Sequence, residues 1–395
     1  MLIDRIRRDP DGRRIECRVT FETGERQSHT VFASTAAPQT LEADPNGFLL
    51  GAFLPAWTAG ESRIRIDGAV CPLLAANLSI AASMQRTWFT DLAAPPTIEA
   101  DRAYRPVGTR TGAFLSGGVD SLAMLRSRMA LPAGHPDRPS AAIVVDHPFV
   151  GEKISRDETD ARFGRSLATS REIAADLGLE VIPVRSDFNR LNGAMRFWIY
   201  RYHGAFLATA AHFLGRDFRL FYIASTLPAT HLVPWGSHPQ LDPFYSSQHV
   251  RIVHDGVELS RLQKVEVIRD WPAALARMYV CTSGTSNGQN CGACEKCIRT
   301  RLHLLVAGAL AEATAFPGHD IGESEIRASR LRSEYARLCF AEALPGLRRL
   351  GRFDLAAAVE QVIDDYVQEQ QASTRPAPGL LHRVARKARR LLRGG

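Results

Sequence analysis

The sequence lacks the features of a membrane or secreted protein. No apolar run reaches the ~18–20 residues that a membrane-spanning helix needs. The basic first residues, MLIDRIRRDPDG, are not followed by the apolar stretch of a secretory signal. The chain also has little net charge outside its last residues. The final LLHRVARKARRLLRGG segment contains no acidic residue and carries +6 of the formal net charge of +7. We therefore expect a cytoplasmic protein without a membrane span, whose nearly neutral main part does not bind nucleic acid.

The composition is that of a globular protein with a substantial core. The chain has 395 residues, of which 45% are hydrophobic and 23% charged, enough for two or three domains. It has seven cysteines, an odd number, and four of them fall within a short segment. A disulfide framework would spread its cysteines more evenly, so in a cytoplasmic chain this cluster indicates a metal site.

Changes in the sequence pattern predict four regions. Residues 1–105 combine alternating strands with apolar helices and predict a small α+β accessory domain. In residues 106–315 short β-branched strands alternate with helices, including one long apolar helix over 196–215, which predicts an α/β domain with a parallel sheet covered on both faces. Residues 316–370 predict a helical extension. Residues 371–395 predict a linker and a basic amphipathic tail, either a solvated arm or a contact for a membrane surface or nucleic acid.

The segment FLSGGVDSLAML, residues 114–125, places two glycines between a predicted strand and a predicted helix. Glycines let backbone amides approach an anion, and a helix N-terminus adds partial positive charge. Ser116 and Ser121 add hydroxyl groups, and Asp120 can cap the helix or hold a Mg²⁺ ion that bridges phosphates. The segment lacks the lysine of the G-x-x-x-x-G-K-[ST] loop and the third glycine of the dinucleotide fingerprint. An ordinary strand-to-helix turn with a capping serine is the alternative.

This segment resembles the pyrophosphate loop of the N-type ATP pyrophosphatases, also called the PP-loop superfamily. The resemblance implies a doubly wound parallel sheet of the adenine nucleotide alpha hydrolase type, with Mg²⁺ and the outer phosphates of ATP held by the loop. In that superfamily a substrate oxygen attacks the α-phosphorus, pyrophosphate leaves, and a nitrogen or sulfur nucleophile then displaces AMP. The residues to which the resemblance assigns ATP are Ser116, Gly117, Gly118, Val119, Asp120 and Ser121, with Asp146 beside the adenosine half.

The cysteine cluster has the spacing C-x9-C-x2-C-x2-C. Four thiolates suit tetrahedral zinc in a closed site, and an iron–sulfur cluster is the alternative. Together with the loop, this zinc knuckle over 281–297 resembles the 7-cyano-7-deazaguanine synthase branch, across roughly residues 110–305. That resemblance implies an ATP-dependent ligase that forms C–N bonds between a small-molecule carboxylate or modified base and ammonia or an amine. The predicted zinc ligands are Cys281, Cys291, Cys294 and Cys297, whereas Cys17, Cys71 and Cys339 are predicted core residues.

Further site residues are predicted at the carboxyl ends of strands and in the segments that follow them. Ligands of parallel sheets bind at this edge, which predicts that Ser116, Asp146, Asp187 and Ser225 line it. Lys264, in an S-R-x-x-K segment at a helix start, resembles the family lysine that reaches the site, and we assign it a catalytic role with Asp120. The predicted substrate contacts are Ser225, then Arg196 and His203 on one helix face, and Trp235, Ser237 and His238 in the proline-rich segment 227–250.

Other functions stay open at this stage. Transfer of sulfur to a transfer RNA or a metabolite, within the same superfamily, is one alternative, and a non-catalytic nucleotide-binding scaffold is another. A partner protein could contact the N-terminal domain or the basic tail. His231, His249 and His254 are spaced too irregularly to predict a metal site.

Overall fold

The computed structural model describes residues 1–146, 155–281 and 289–374. It confirms the α/β class, with helices around one ten-stranded sheet that is mostly parallel. No helix within these ranges is long and apolar enough to cross a membrane. Most of the predicted tail, residues 371–395, lies outside the described residues.

The sheet contains strands from both halves of the chain. Its order is 10-9-6-7-8-3-2-1-4-5 when the strands are numbered along the sequence, and the five on the 10-to-8 side all pair in parallel. The strands are β1 (Leu2–Arg8), β2 (Arg14–Thr20), β3 (Ser28–Ser34), β4 (Arg63–Val70), β5 (Thr97–Arg102), β6 (Arg110–Phe114), β7 (Ala141–Asp146), β8 (Glu180–Ser186), β9 (Phe218–Ala224) and β10 (Arg251–Asp255).

Helices cover both faces of the parallel strands, because side chains along a strand alternate between faces. Phe114 and Ile143 belong to one buried core, whereas Leu115 and Val144 belong to the other. The helices are α1 (Pro45–Thr58), α2 (Pro72–Trp88), α3 (Val119–Met129), α4 (Arg156–Asp176), α5 (Met195–Phe197), α6 (His203–Phe213), α7 (Arg261–Ile268), α8 (Pro272–Arg277), α9 (Glu295–Val306), α10 (Glu323–Arg327), α11 (Glu334–Arg349) and α12 (Phe353–Thr374). The first core includes residues of α1 and α6, and the second includes residues of α3, α7, α9, α11 and α12.

The antiparallel pair β3–β8 joins the first hundred residues to the parallel strands. The backbone N–H of Phe32 donates to the Asp187 carboxylate over 2.8 Å, and the Thr35 hydroxyl donates to the Pro183 carbonyl over 2.6 Å. Asp187 follows β8 as predicted, but its buried carboxylate holds this junction together. Burial raises the pKa of Asp187, although the Phe32 amide and Arg190 oppose that shift. The predicted domain boundaries stay predictions, but strands on both sides of residue 105 share one sheet.

The long helix predicted over 196–215 is interrupted. A π-helical turn, Trp198–Tyr202, separates α5 from α6. Gly236 bonds to the backbone on both sides of this turn: its N–H donates to the Ile199 carbonyl over 3.0 Å, and its carbonyl accepts from the Gly204 N–H over 2.9 Å. The segment around Gly236 therefore forms hydrogen bonds with backbone groups that would be paired within the helix if the helix were uninterrupted. A Cβ on Gly236 would lie 2.7 Å from the His203 ring, so this close approach requires glycine.

Candidate functional site

The Ser116–Ser121 loop follows β6 and includes the first three residues of α3, at the carboxyl edge of the parallel strands. Gly117 has φ +76°, a left-handed conformation that favours glycine. The Ser121 hydroxyl donates to the Gly118 carbonyl over 3.0 Å and accepts from the Ser116 N–H over 3.2 Å. These bonds fix a tight turn directly before the helix. Because the first amides of a helix have no partner within it, the turn faces the positive end of α3.

Asp120, in the first turn of α3, contacts two buried cations. One carboxylate oxygen accepts from the Arg261 guanidinium over 3.0 Å, and the other lies 3.3 Å from the Lys264 Nζ. Burial alone would raise the pKa of Asp120, but Arg261 and Lys264 outweigh it and hold the pKa below its usual range. The Arg261 and Lys264 side chains are 6% and 2% exposed. Asp120 is therefore a charged carboxylate that compensates two desolvated cations.

Lys264 also connects this group to the neighbouring strand end. Its ammonium donates to the carbonyl of Ser225, which follows β9, over 2.5 Å. The Ser225 hydroxyl donates to the Leu227 carbonyl over 2.7 Å, so it shapes the loop after β9. The structure therefore brings Asp120, Lys264 and Ser225 together, three residues that the sequence analysis assigned to one site.

Two further cations near the loop were missed by the sequence analysis. Arg261 lies one helical turn before Lys264, and i,i+3 residues share a helix face, so the S-R-x-x-K pattern contained the signal. Lys296, at the start of α9, interacts electrostatically with Asp120 and Arg261. Partial desolvation, together with Arg299 and Arg261, lowers the pKa of Lys296, although its side chain still reaches solvent. The surroundings of the loop therefore carry more positive than negative charge.

The four predicted cysteine ligands meet at one point. The Sγ atoms of Cys281, Cys291, Cys294 and Cys297 all lie within 4.8 Å of one another. Two of the separations, Cys291–Cys297 and Cys281–Cys294, are 3.9 Å. A tetrahedral site with Zn–S bonds of about 2.3 Å places its sulfur atoms about 3.8 Å apart. The cluster can therefore bind a metal ion, and its dimensions fit zinc.

The Asn290 side chain forms four hydrogen bonds to backbone groups next to this cluster and in the segment around Ala315. Its side-chain oxygen accepts from the N–H groups of Val280 and Cys281 over 2.9 and 3.2 Å. Its amide nitrogen donates to the carbonyls of Met278 and Ala315, each over 2.9 Å. Asn290 directly precedes Cys291, so its side chain joins the backbone at Cys281 to the segment that carries the other three cysteines.

The cysteine cluster and the Ser116–Ser121 loop are directly linked. The N–H of Tyr279, two residues before Cys281, donates to the Gly117 carbonyl over 2.9 Å. On the other side, Cys294 is the N-cap residue of α9, the helix that begins with Glu295 and Lys296. A metal held by the cysteines would therefore fix both a backbone contact and a cation beside the loop.

Asp146 lies at the end of β7, the strand next to β6. Its carboxylate accepts from the Arg185 guanidinium over 2.9 Å. Burial raises the pKa of Asp146, and Arg185 only partly opposes the shift. Asp146 thus lies at the same sheet edge as the Ser116–Ser121 loop, and its carboxylate is hydrogen-bonded to Arg185.

The remaining predicted substrate residues contact either Asp242 or the π-turn. Ser237 donates to the Asp242 carboxylate over 2.5 Å, and the His238 N–H over 3.3 Å. The His203 imidazole bonds the Trp198 carbonyl of the π-turn, and the Trp235 ring packs on His203 and on Tyr200, over which Arg196 lies. The π-turn breaks the helical register on which the predicted shared face of Arg196 and His203 depended. These contacts give the five residues a role in packing the proline-rich segment.

No protein-family model, no curated protein and no solved structure matches the chain. The candidate site is therefore defined by the geometry of its own residues. That geometry consists of a glycine-containing turn at a helix N-terminus, a carboxylate between buried cations, and four converging thiols.

Proposed function

We propose that the protein is an ATP-dependent ligase of the N-type pyrophosphatase class, similar to 7-cyano-7-deazaguanine synthase. In this proposal it activates a carboxylate or carbonyl oxygen as an adenylate, releases pyrophosphate, and passes the activated group to ammonia or an amine. The observation that carries the proposal is the Ser116–Ser121 loop, with Asp120 held between Arg261 and Lys264.

The order of the parallel strands supports this assignment. Numbered within their own half, the strands β8, β7, β6, β9 and β10 follow the order 3-2-1-4-5 of a doubly wound sheet. In such sheets ligands bind where the order reverses, which here is between β6 and β9. The Ser116–Ser121 loop leaves β6 and Ser225 leaves β9, so both lie at that position.

The charges around the loop suit polyphosphate. Arg261, Lys264 and Lys296 would bind the outer phosphates and stabilise the negative charge that develops on departing pyrophosphate. Asp120 is the carboxylate that would hold Mg²⁺, which supplies further charge neutralisation when bound. The substrate oxygen forms a bond to the α-phosphorus as the bond to pyrophosphate breaks. The amine nitrogen then bonds the activated carbon, AMP leaves, and the nitrogen loses a proton. The protein contributes positioning and electrostatics rather than a covalent intermediate.

The cysteine cluster would have a structural role in this enzyme. Four thiolates form a closed zinc site without an open coordination position. Through Tyr279 and α9 the site would hold the loop and Lys296 in place.

The position of the other cysteines favours nitrogen over sulfur transfer. Sulfur transfer commonly uses an accessible, reactive thiol. Cys17, Cys71 and Cys339 are each at most 2% exposed. Burial raises the pKa of the Cys17 and Cys339 thiols, which makes them poor nucleophiles.

The test is ATP turnover by the full-length chain with Mg²⁺, ammonium and a panel of carboxylates that includes 7-carboxy-7-deazaguanine. AMP and pyrophosphate are assayed separately from ADP and phosphate. We expect AMP and pyrophosphate, stimulated by one carboxylate, and a loss of at least ~100-fold in Asp120→Asn. The matched control is Asp270→Asn, which neutralises a carboxylate that is 84% exposed and should keep wild-type turnover.

The outcomes separate the alternatives. ADP as the product would contradict the assignment of the loop, and equal turnover by Asp120→Asn would contradict the role of Asp120. ATP binding without turnover for any acceptor would favour the nucleotide-binding scaffold. Incorporation of sulfur from a persulfide donor would favour the sulfurtransferase.

A further inference from the structure

A second group of metal-ligating side chains lies away from the cysteine cluster. Asp44, His212 and His249 each present one ligand atom, and these atoms all lie within 4.8 Å of one another. All three side chains are buried, with at most 3% exposed. They come from the N-cap of α1, the last turn of α6 and the segment before β10. We propose that these residues bind one Zn²⁺ ion.

The hydrogen bonds of the two imidazoles suit metal ligands. The Nε2 of His212 lies 3.0 Å from the Tyr245 carbonyl. A carbonyl only accepts hydrogen bonds, so Nε2 carries the ring proton. The other nitrogen, Nδ1, is buried and has no hydrogen-bond partner among the residues that the structure describes. Metal-binding histidines commonly have this arrangement, in which the distal N–H is anchored to a carbonyl and the proximal nitrogen is free.

With the ring proton on Nε2, the Nδ1 of His212 has a lone pair to offer. An unpartnered buried polar atom costs free energy. A metal ion in the group would remove that cost.

His249 and Asp44 complete the set. The His249 Nε2 lies 3.0 Å from one Asp44 oxygen, and its Nδ1 lies 2.9 Å from the Ser247 hydroxyl. The hydroxyl can exchange donor and acceptor roles, so the Nε2 proton can leave when a metal binds. The other Asp44 oxygen accepts from Asn46 and lies 3.3 Å from Arg105 Nε, so these groups orient the carboxylate.

The donor set favours Zn²⁺ over a hard cation. Two imidazoles and one carboxylate are ligands that zinc prefers, whereas Ca²⁺ and Mg²⁺ favour sites made of oxygen ligands. Arg105 opposes any cation, but Glu42 also contacts its guanidinium, over 3.4 Å. The bound ion would cross-link the N-terminal segment to the parallel half of the sheet.

The experiment measures metal content in full-length chain that has been stripped with a chelator and reloaded with Zn²⁺ or Co²⁺. Co²⁺ bound by thiolates gives intense sulfur-to-metal charge-transfer absorption, whereas Co²⁺ bound by imidazole and carboxylate gives only weaker ligand-field bands. We expect one ion per chain without the thiolate signature, in addition to any ion on the cysteines. If every bound ion shows the thiolate signature, or no ion binds, the proposal is overturned.

A matched pair of variants assigns the site. His212→Gln removes the Nδ1 ligand and leaves an amide that can still donate to the Tyr245 carbonyl. His303→Gln is the control, because His303 is equally buried and bonds the Cys339 carbonyl over 2.7 Å, and its buried Nδ1 also has no partner within the described parts of the chain. We expect His212→Gln to lose one ion per chain and His303→Gln to lose none. Retention of the non-thiolate ion by His212→Gln would overturn the proposal. If His212→Gln does not fold, the wild-type stoichiometry and Co²⁺ spectrum decide alone.

Discussion

Neutralising Asp120 should destabilise the fold in a way that depends on pH. Asp120→Asn keeps a hydrogen-bond acceptor but leaves Arg261 and Lys264 buried without a counter-charge. At 3.0–3.3 Å and an effective dielectric constant of about 20, each pair has a gross attraction of about 5 kcal/mol, most of which desolvation offsets. Removing one partner of a buried pair costs about 3–5 kcal/mol, and the Ser225 carbonyl still accepts from Lys264, so we expect about 3 kcal/mol. For a chain of this length that loss lowers the melting temperature by about 4 °C.

The pH dependence follows from the lowered pKa of Asp120. A carboxylate with a lowered folded-state pKa contributes stability above its unfolded pKa of about 3.9, and that contribution is lost as the pH falls through the folded value. Urea unfolding of wild type and variant should therefore show the full difference near pH 7 and a shrinking difference below about pH 4. Asp270→Asn, the exposed control, should change stability by less than about 0.5 kcal/mol. Equal stability of Asp120→Asn and this control, or a difference that grows on acidification, would refute the reasoning.

Three more predictions test other parts of the structure. Gly236→Ala should cost about 2 kcal/mol in urea unfolding, because the added Cβ meets the His203 ring and nearby backbone. Gly164→Ala, where no atom of the described residues outside its own helix turn lies within 4 Å, should be neutral or stabilising by up to about 1 kcal/mol. Asn290→Ala should weaken metal binding by the cysteines about 10-fold in a chelator competition, whereas Asn77→Ala, a remote amide that bonds Ser246, should not. Without Mg²⁺, Asp120→Asn should bind pyrophosphate about fivefold more tightly in calorimetry, because one negative charge leaves a cationic site. Weaker binding would contradict the charge balance described for the loop.

The sequence predicted those features that depend on neighbouring residues. The strand before Ser116, the helix after it, and the buried strands β7, β8 and β9 follow from local apolar patterns. The convergence of the four cysteines follows from their spacing, since three of them lie within seven residues. Local patterns were sufficient here because each element is specified by its own segment.

Features that depend on distant residues could not be predicted in this way. The bond between Thr35 and Pro183 joins residues 148 positions apart, and no local pattern pairs β3 with β8. The π-turn that bonds to Gly236 interrupts a helix whose own sequence favours continuity. His249 meets Asp44 and His212 only through the tertiary fold, so its irregular spacing from other histidines contained no signal. In each case a tertiary contact overrides or adds to what the segment alone specifies.

The β3–β8 pair also determines which strands lie at the edges of the sheet. A parallel sheet that ended at β8 would expose the backbone N–H and C=O groups of an apolar strand, and such edges promote intermolecular association. Pairing with β3 moves the outer edges to β5 and β10 among the described strands. Charged side chains alternate with apolar ones in the second half of β5, TIEADR, and the Asp242–Tyr245 turn packs against β10. The N-terminal strands therefore continue the sheet past the Arg185–Ser186 end of β8, where an edge would otherwise be exposed.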